Sequence, residues 1–302
     1  MNRLQNPIKR TRILAFLLLF PFLFSSCSDD GHNDERGLSV SLSWLDAEDE
    51  GTEVKDVRLW IYGAEGTVAA SLQGSAQEIA SKCFLLPKGE YKIFATTNLL
   101  PPLTLEPSTG VAEPGVDLKI KLQNTTDVKQ NAFFGISSVS IPNPDAYTVV
   151  KVSQKGALAQ LSFLIEEMPA GTRLIGTVKN AASCVYPMLQ EADGEYGKAC
   201  EESEEMDFTV PGTLDESGRS QPVLLMPTVS SQKHSRIFLR LLLADGTEKI
   251  TDIKAPLMKV GGKYQIQLKY EDISPYMYLS SVKIDDWTEG WIYNGEILNP
   301  EE

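Results

Sequence analysis

Apolar and polar residues alternate with a period of two along most of the chain from Leu38 onward. The first such run covers residues 38–44, where every second residue is apolar and the residues between them are serines. Because successive side chains of a strand point to opposite faces, this run predicts a first strand with one buried and one wet face. The residues on its buried face are Leu38, Val40, Leu42 and Trp44.

The later segments of the chain repeat this pattern and indicate an all-β protein. Alternation returns at residues 57–62, 116–122 and 264–270, and no stretch predicts an amphipathic helix of three turns. Residues 101–115 and 180–205 read as irregular or polar excursions. Asp245-Gly246, between two apolar runs, predicts a tight hairpin with both turn residues at positive φ. Many short strands at near-regular spacing favour β-sandwiches.

Two prolines divide the strand-rich part of the chain. Pro142 and Pro144 disfavour both helix and central strand. The length of the remaining chain also exceeds that of a typical single domain. We therefore predict an N-terminal sandwich over residues 38–144 and a C-terminal sandwich with terminal strands over 145–302.

The N-terminal segment has the composition of an export signal. Four basic residues precede an apolar run at 13–24, and small residues precede Cys27. A basic region, a short apolar region and small residues at the cut are typical of a secretory signal, and the run is too short for a stable membrane span. We predict a signal peptide over residues 1–26, followed by a flexible tether over 27–37 that is too polar to fold.

The end of this signal resembles the bacterial lipobox, in which the cysteine is acylated. The resemblance implies that Cys27 carries the lipid, and the acidic residues after it resemble the surface-export tether of Bacteroides lipoproteins. Removal of residues 1–26 changes the net charge from −13 to −17. Such an acidic chain repels nucleic acid, so it would reach the outer membrane through acyl chains and not through a basic patch.

The residues offer little for catalysis. Only His234 lies in the part predicted to fold, and there is no Cys-x-x-Cys or phosphate-binding loop, so we expect no enzyme, no metal and no cofactor. Neighbouring carboxylates such as Asp285 and Asp286 would point to opposite faces of a strand. After export through an oxidising compartment, Cys184 and Cys200 are candidates for a disulfide, which would contribute roughly 3 kcal/mol.

Several segments together resemble the Bacteroidales fimbrillins, the type V pilins and their relatives. They include the lipobox with the lone first strand, the strand at 57–62, the segment 89–98 ending in an asparagine, and the closing segments 262–266 and 282–287. The resemblance implies two tandem transthyretin-like β-sandwich domains and assembly into cell-surface fimbriae by strand exchange. Other fimbrial subunits are then the expected partners, together with host or bacterial surface ligands.

One departure from the family pattern concerns processing of the first strand. In the family's stalk subunits a trypsin-like protease cuts after an arginine beyond this strand, but residues 45–54 contain no Arg or Lys. This favours an anchor-type or minor subunit that keeps its first strand. A polymerising stalk subunit cut by another protease is the alternative, and a surface glycan-binding lipoprotein is the second.

The end of the chain is the expected donor of a strand. A terminal strand can leave its own sheet and join another without threading a loop, and a partner's groove would supply both backbone bonds and side-chain pockets. The alternative is that these strands complete the second sandwich. The apolar residues of this segment are Trp291, Tyr293, Ile297 and Leu298.

Overall fold

The computed structural model describes residues 36–46, 52–107, 118–123, 128–273 and 283–286. These residues form strands almost throughout, with one short helix, so the all-β prediction is confirmed. The elements in chain order are β1 Gly37–Trp44, β2 Val57–Gly63, β3 Val68–Gly74, α1 Ala76–Ser81, β4 Cys83–Phe84, β5 Gly89–Thr97, β6 Leu103–Pro107, β7 Leu118–Leu122, β8 Phe133–Ile141, β9 Tyr147–Gly156, β10 Ala159–Glu166, β11 Arg173–Ala182, β12 Cys184–Gln190, β13 Tyr196–Ala199, β14 Ser203–Thr209, β15 Val223–Leu225, β16 His234–Leu242, β17 Glu248–Pro256, β18 Lys263–Lys269 and β19 Lys283–Asp286, with a 3₁₀ turn at Tyr270–Asp272.

The first half of the chain builds a seven-stranded sheet in the order β3-β2-β5-β8-β9-β1-β4. One set of its side chains forms a core of its own, to which β1, β2, β5 and β9 all contribute. Helix α1 adds Ile79 to this core and begins with a capping box between Ser75 and Glu78. The reciprocal bonds of that box satisfy backbone donors at the helix start, which lets so short a helix persist.

The second half builds a sandwich of two four-stranded sheets. Their orders are β15-β10-β18-β19 and β14-β11-β16-β17, and apolar residues from both lie in one larger core. The stacked rings of Phe163 and Phe208, with centroids 6.0 Å apart, join the two layers. Strand β10 lies in the interior of its sheet, between β15 and β18.

A fourth sheet, in the order β13-β12-β7-β6, combines β7, which alternation predicts, with three strands from segments in which we expected none. Strand β6 lies within residues 101–115, and β12 and β13 lie within 180–205, so those two predictions are wrong. Strand β12 is buried on both faces, with Cys184, Val185, Pro187 and Met188 all inaccessible, which hides the period-two pattern. Side chains from the seven-stranded sheet, including Phe94 and Phe134, belong to the same larger core.

The hairpin between β16 and β17 forms where Asp245-Gly246 predicts it, but with a different turn. Only Gly246 has positive φ, at 86°. Its amide donates to the Leu243 carbonyl at 3.0 Å, while the Leu243 amide donates to Thr247 at 2.9 Å. This is a three-residue loop that ends in a left-handed glycine, so the second positive φ is not required.

The predicted division at residues 144/145 falls between two strands of one sheet. Strand β9 lies beyond that point, yet it pairs with β8 and β1, and the change to the second sandwich comes after Gly156. The chain from Arg36 onward clusters as one compact unit. The division into two domains stays a prediction.

Candidate functional site

The candidate site is the first strand and the sheet edge at which it lies. Strand β1 runs parallel to β9 in an unbroken register from Gly37–Tyr147 to Trp44–Gln154. The Gly37 amide donates to the Ala146 carbonyl at 3.1 Å, and the Leu45 amide donates to the Gln154 carbonyl at 2.8 Å. Backbone hydrogen bonds therefore hold both ends of the strand on this side.

The apolar side chains of β1 differ in how deeply they are buried. Leu38 and Val40 are fully buried in the smaller core, whereas Leu42 is half-buried and packs against its margin. Trp44, also half-buried, meets the ring of Phe133 edge-on, with centroids 4.9 Å apart. The expected apolar face is thus present, and it is deepest at the start of the strand.

The second edge of β1 is mostly open within the described residues. Strand β4 pairs only with Leu38 and Ser39, and no described strand pairs with residues 40–44 on that side. Ser39 is buried, contrary to its expected place on the wet face. An edge with free N–H and C=O groups is where a further strand can add.

An ion pair continues the attachment beyond the end of β1. The Asp46 carboxylate contacts Lys263 Nζ at the start of β18, and the lysine side chain is only 7% exposed. Asp46 follows a strand of the seven-stranded sheet, whereas Lys263 belongs to the sandwich built by the second half of the chain. Because removal of a carboxylate would leave a buried ammonium, this contact stabilises the position of the strand end. Sequence reasoning had no signal for it.

Next to this ion pair is a cleft of about 420 Å³, lined by residues that include Asp46, Lys155 and Lys263. Its lysines already have carboxylate partners. Lys155 lies 3.6 Å from Glu195, and burial lowers the pKa of Lys155 while Glu195 opposes that shift. Because these charged groups are paired with each other, they offer few interactions to a small charged ligand.

Asn98, the residue directly after β5, holds the segment that leads into β2. Its backbone adopts positive φ, at 55°, which asparagine tolerates better than most residues. Its side-chain Nδ2 donates to the Glu53 carbonyl at 2.8 Å, and its Oδ1 accepts from the Lys55 amide at 2.8 Å. Lys55, the first basic residue after β1, is thereby held in an ordered backbone.

Cys184 and Cys200 lie opposite each other at the mouth of the β12–β13 hairpin. Both are buried, and both are free thiols in this structure. The Cys184 amide donates to Cys200 Sγ at 3.1 Å. A hydrogen bond between the two side chains lowers the pKa of Cys200 and raises that of Cys184. The disulfide stays a prediction, with its two residues now shown to be neighbours.

The remaining candidates for chemistry or binding are dispersed. His234 is exposed, and the described part of the chain holds no cluster of three metal-ligating side chains. The Trp60 ring stacks on Phe94 at 5.4 Å, so it contributes to packing. Within the same residues no helix is long and apolar enough to cross a bilayer. Cys27, Trp291, Tyr293, Ile297 and Leu298 lie outside the described residues.

Fold and site together define an all-β protein whose first strand has a partly open edge within the described residues. The family model of the fimbrillin-A associated anchor proteins Mfa1 and Mfa2 matches residues 25–293. The chain belongs to that family, and the resemblance drawn from the sequence is confirmed.

Solved structures agree with this fold at low sequence identity. The fimbrial anchor protein Mfa2 from Porphyromonas gingivalis has a TM-score of 0.53 and 13% identity, over 85% of this chain and 99% of that one. A fimbrial assembly protein from Parabacteroides distasonis gives 0.54 and 11%, over 85% and 98%. A candidate polysaccharide-binding protein from Bacteroides thetaiotaomicron gives 0.58 and 13%, over 87% and 98%. No curated protein sequence matches the chain.

Proposed function

We propose that this protein is a lipid-anchored, anchor-type subunit of cell-surface fimbriae that keeps its own first strand. Membership of the anchor family supports a fimbrial anchoring and adhesion role. The observation that carries the finer proposal is the eight-residue register of β1 on β9. A subunit whose first strand fills its own sheet does not need a donor strand there.

The surroundings of β1 support its retention. Leu38 and Val40 are fully buried, and burial of such side chains stabilises by roughly 1.5–3 kcal/mol each. Lys55 has its amide bonded to Asn98 and its side chain 3.3 Å from Glu53. A protease needs an extended, accessible backbone, so this ordered segment is a poor site for a trypsin-like cut.

Attachment to the membrane would come from acylation of Cys27. The test is Cys27→Ala expressed with the rest of the chain intact, with Cys83→Ala as the matched control. We expect Cys27→Ala to leave the membrane fraction or to stay at precursor mass, and its fimbriae to appear in the medium. A mutant of mature mass that remains in the membrane fraction would show that the lipid does not anchor the protein.

Contact with the next subunit would come from the C-terminal segment that contains Trp291, Tyr293, Ile297 and Leu298. Truncation after Gly290 tests this. If the segment is a donor, the truncated monomer keeps its melting temperature while fimbriae are lost from cells. Unfolding of the truncated monomer would instead make the segment part of the core, and normal attached fimbriae would exclude it from assembly.

The polymerising-stalk and glycan-binding alternatives receive less support. A stalk subunit requires release of the first strand, and β1 is tied at both ends. Sugar binding requires free aromatic faces, and Trp44 and Trp60 both contact phenylalanine rings. Screening of the purified protein on immobilised glycans measures the second alternative directly.

A further inference from the structure

Exposed apolar side chains concentrate at one end of the seven-stranded sheet. Leu85 is 71% exposed, Tyr147 is 50% exposed and Val149 is 58% exposed. Together they are half of the large hydrophobic residues that stand exposed in the described chain. Val68, a fourth, begins β3 at the same end of the sheet. Single exposed apolar residues need no explanation, but a group of them does.

The register of the strands shows that the first three form one patch. Gly37 pairs with Tyr147, and a methyl group on Gly37 would lie 3.2 Å from Leu85 Cδ2. Leu85 and Tyr147 thus flank Gly37 from the two sides of β1. Val149 follows Tyr147 by two residues along β9 and therefore points to the same face. We call Leu85, Tyr147 and Val149 the apolar end patch.

The apolar end patch surrounds the point at which the chain enters the fold. Gly37 opens β1, and Cys27 lies ten residues before it in the sequence. Ten residues span at most about 35 Å, even when fully extended. If acyl chains hold Cys27 in a bilayer, this end of the sheet stays within that distance of the lipid surface, so the effective concentration of lipid at the patch is high.

The charges around the patch are mixed. Lys88 lies three residues after Leu85, Lys151 is the next outward residue of β9, and Asp145 lies two residues before Tyr147; all three are exposed. Such a surface has no basic cluster to attract anionic head groups. The apolar end patch is suited to contact the interfacial zone of a bilayer, where an amphipathic Tyr and aliphatic side chains are both stabilised.

We propose that the apolar end patch rests on the surface of the lipid bilayer that holds Cys27 and orients the anchored protein upright. This rests on the proposed acylation of Cys27. The far end of β1, at Leu45, then points away from the bilayer. A second copy of the chain is a different occupant, and the experiment below separates the two.

The test uses the acylated full-length protein in phosphatidylcholine vesicles with or without brominated acyl chains, which quench nearby tryptophan. Tyr147→Trp places a probe in the patch. Leu45→Trp is the matched control, since Leu45 is also well exposed. It lies eight residues after Gly37, the partner of Tyr147, which places it about 26 Å from the patch along the strand. Wild-type emission gives the background of the native tryptophans.

We expect brominated vesicles to reduce the emission added by Tyr147→Trp at least twofold, and to leave that added by Leu45→Trp unchanged. Raised salt should not alter the quenching. The further changes Leu85→Ser and Val149→Ser in the Tyr147→Trp protein should remove it.

Four outcomes would overturn the proposal. Protein that floats with the vesicles while neither probe is quenched shows lipid anchoring without patch contact. Equal quenching of both probes shows that there is no fixed orientation. Protein that does not float refutes acylation of Cys27 and the patch contact with it. Absent quenching combined with a dimer that Leu85→Ser dissociates would assign the patch to a second copy.

Discussion

Two parallel strand pairs occur among the antiparallel pairs of the described residues, and they are held in different ways. Strand β10 pairs with β18 over seven residues, and its other edge is covered by β15 and by hydrogen bonds that Ile165 and Phe163 form with Gly218 and Ser220. Strand β1 pairs with β9 over eight residues, but β4 covers only two residues of its other edge. A strand from the middle of the chain is thus enclosed, whereas the terminal strand lies at an edge where exchange is topologically simple.

Of the changes that test this difference between the two pairs, deletion of residues 38–44 should have the largest effect on stability. It removes Leu38 and Val40 from the smaller core and leaves β9 without its parallel partner. We expect loss of at least about 3–6 kcal/mol of stability from those two side chains. Hydrogen exchange should show lost protection in β9, β2 and β5 while β10 and β18 stay protected. Unchanged melting with no new oligomer would contradict this.

Single substitutions should show that the two pairs belong to separate cores. Leu38→Ala should cost about 2–5 kcal/mol and Phe163→Ala about 3–5 kcal/mol. Because the two residues lie in different clusters, their effects should add within about 0.5 kcal/mol in the double variant. Urea unfolding of the four proteins measures this. A coupling well above that value would mean that the two side chains interact energetically and that the cores are not independent.

A disulfide between Cys184 and Cys200 would reinforce the β12–β13 hairpin, which belongs to neither parallel pair. Protein recovered from the cell surface should be 2 Da lighter than its reduced form, on the expectation of one disulfide losing two hydrogens. Reduction, or Cys184→Ser, should lower stability by roughly 3 kcal/mol. Cys83→Ser is the control and should change neither quantity. Two free thiols in the secreted protein would exclude the bond.

The ion pair at the end of β1 should have the smallest effect. Asp46→Asn leaves Lys263 buried without its carboxylate, which should cost about 1–3 kcal/mol. Asp193→Asn, in the exposed pair with Lys259, should make no measurable difference. Exchange of the Leu45 amide should rise in the first variant alone. Equal behaviour of the two variants would mean that the contact does not hold the strand end.

The sequence could predict the strands better than their partners. Alternation identifies β1 and β18 because each has one apolar face. It could not identify β12, which is buried on both faces. It also could not reveal that Asp46 contacts Lys263 or that β1 runs parallel to β9, since both depend on residues far apart in the chain. The candidate site was therefore foreseeable as a strand, but not as a partly open edge.

The parallel pairing of β1 has a consequence for the order in which the protein folds. Ser43 and Ser153 are hydrogen-bonded across a separation of 110 residues. Synthesis produces the N-terminal part of a chain first, so the first strand emerges well before its partner exists. Long-range strand pairing is intrinsically slow. In that interval the strand must remain unpaired without aggregating. Its alternating serines keep half of its side chains polar, which favours solubility of the unpaired strand.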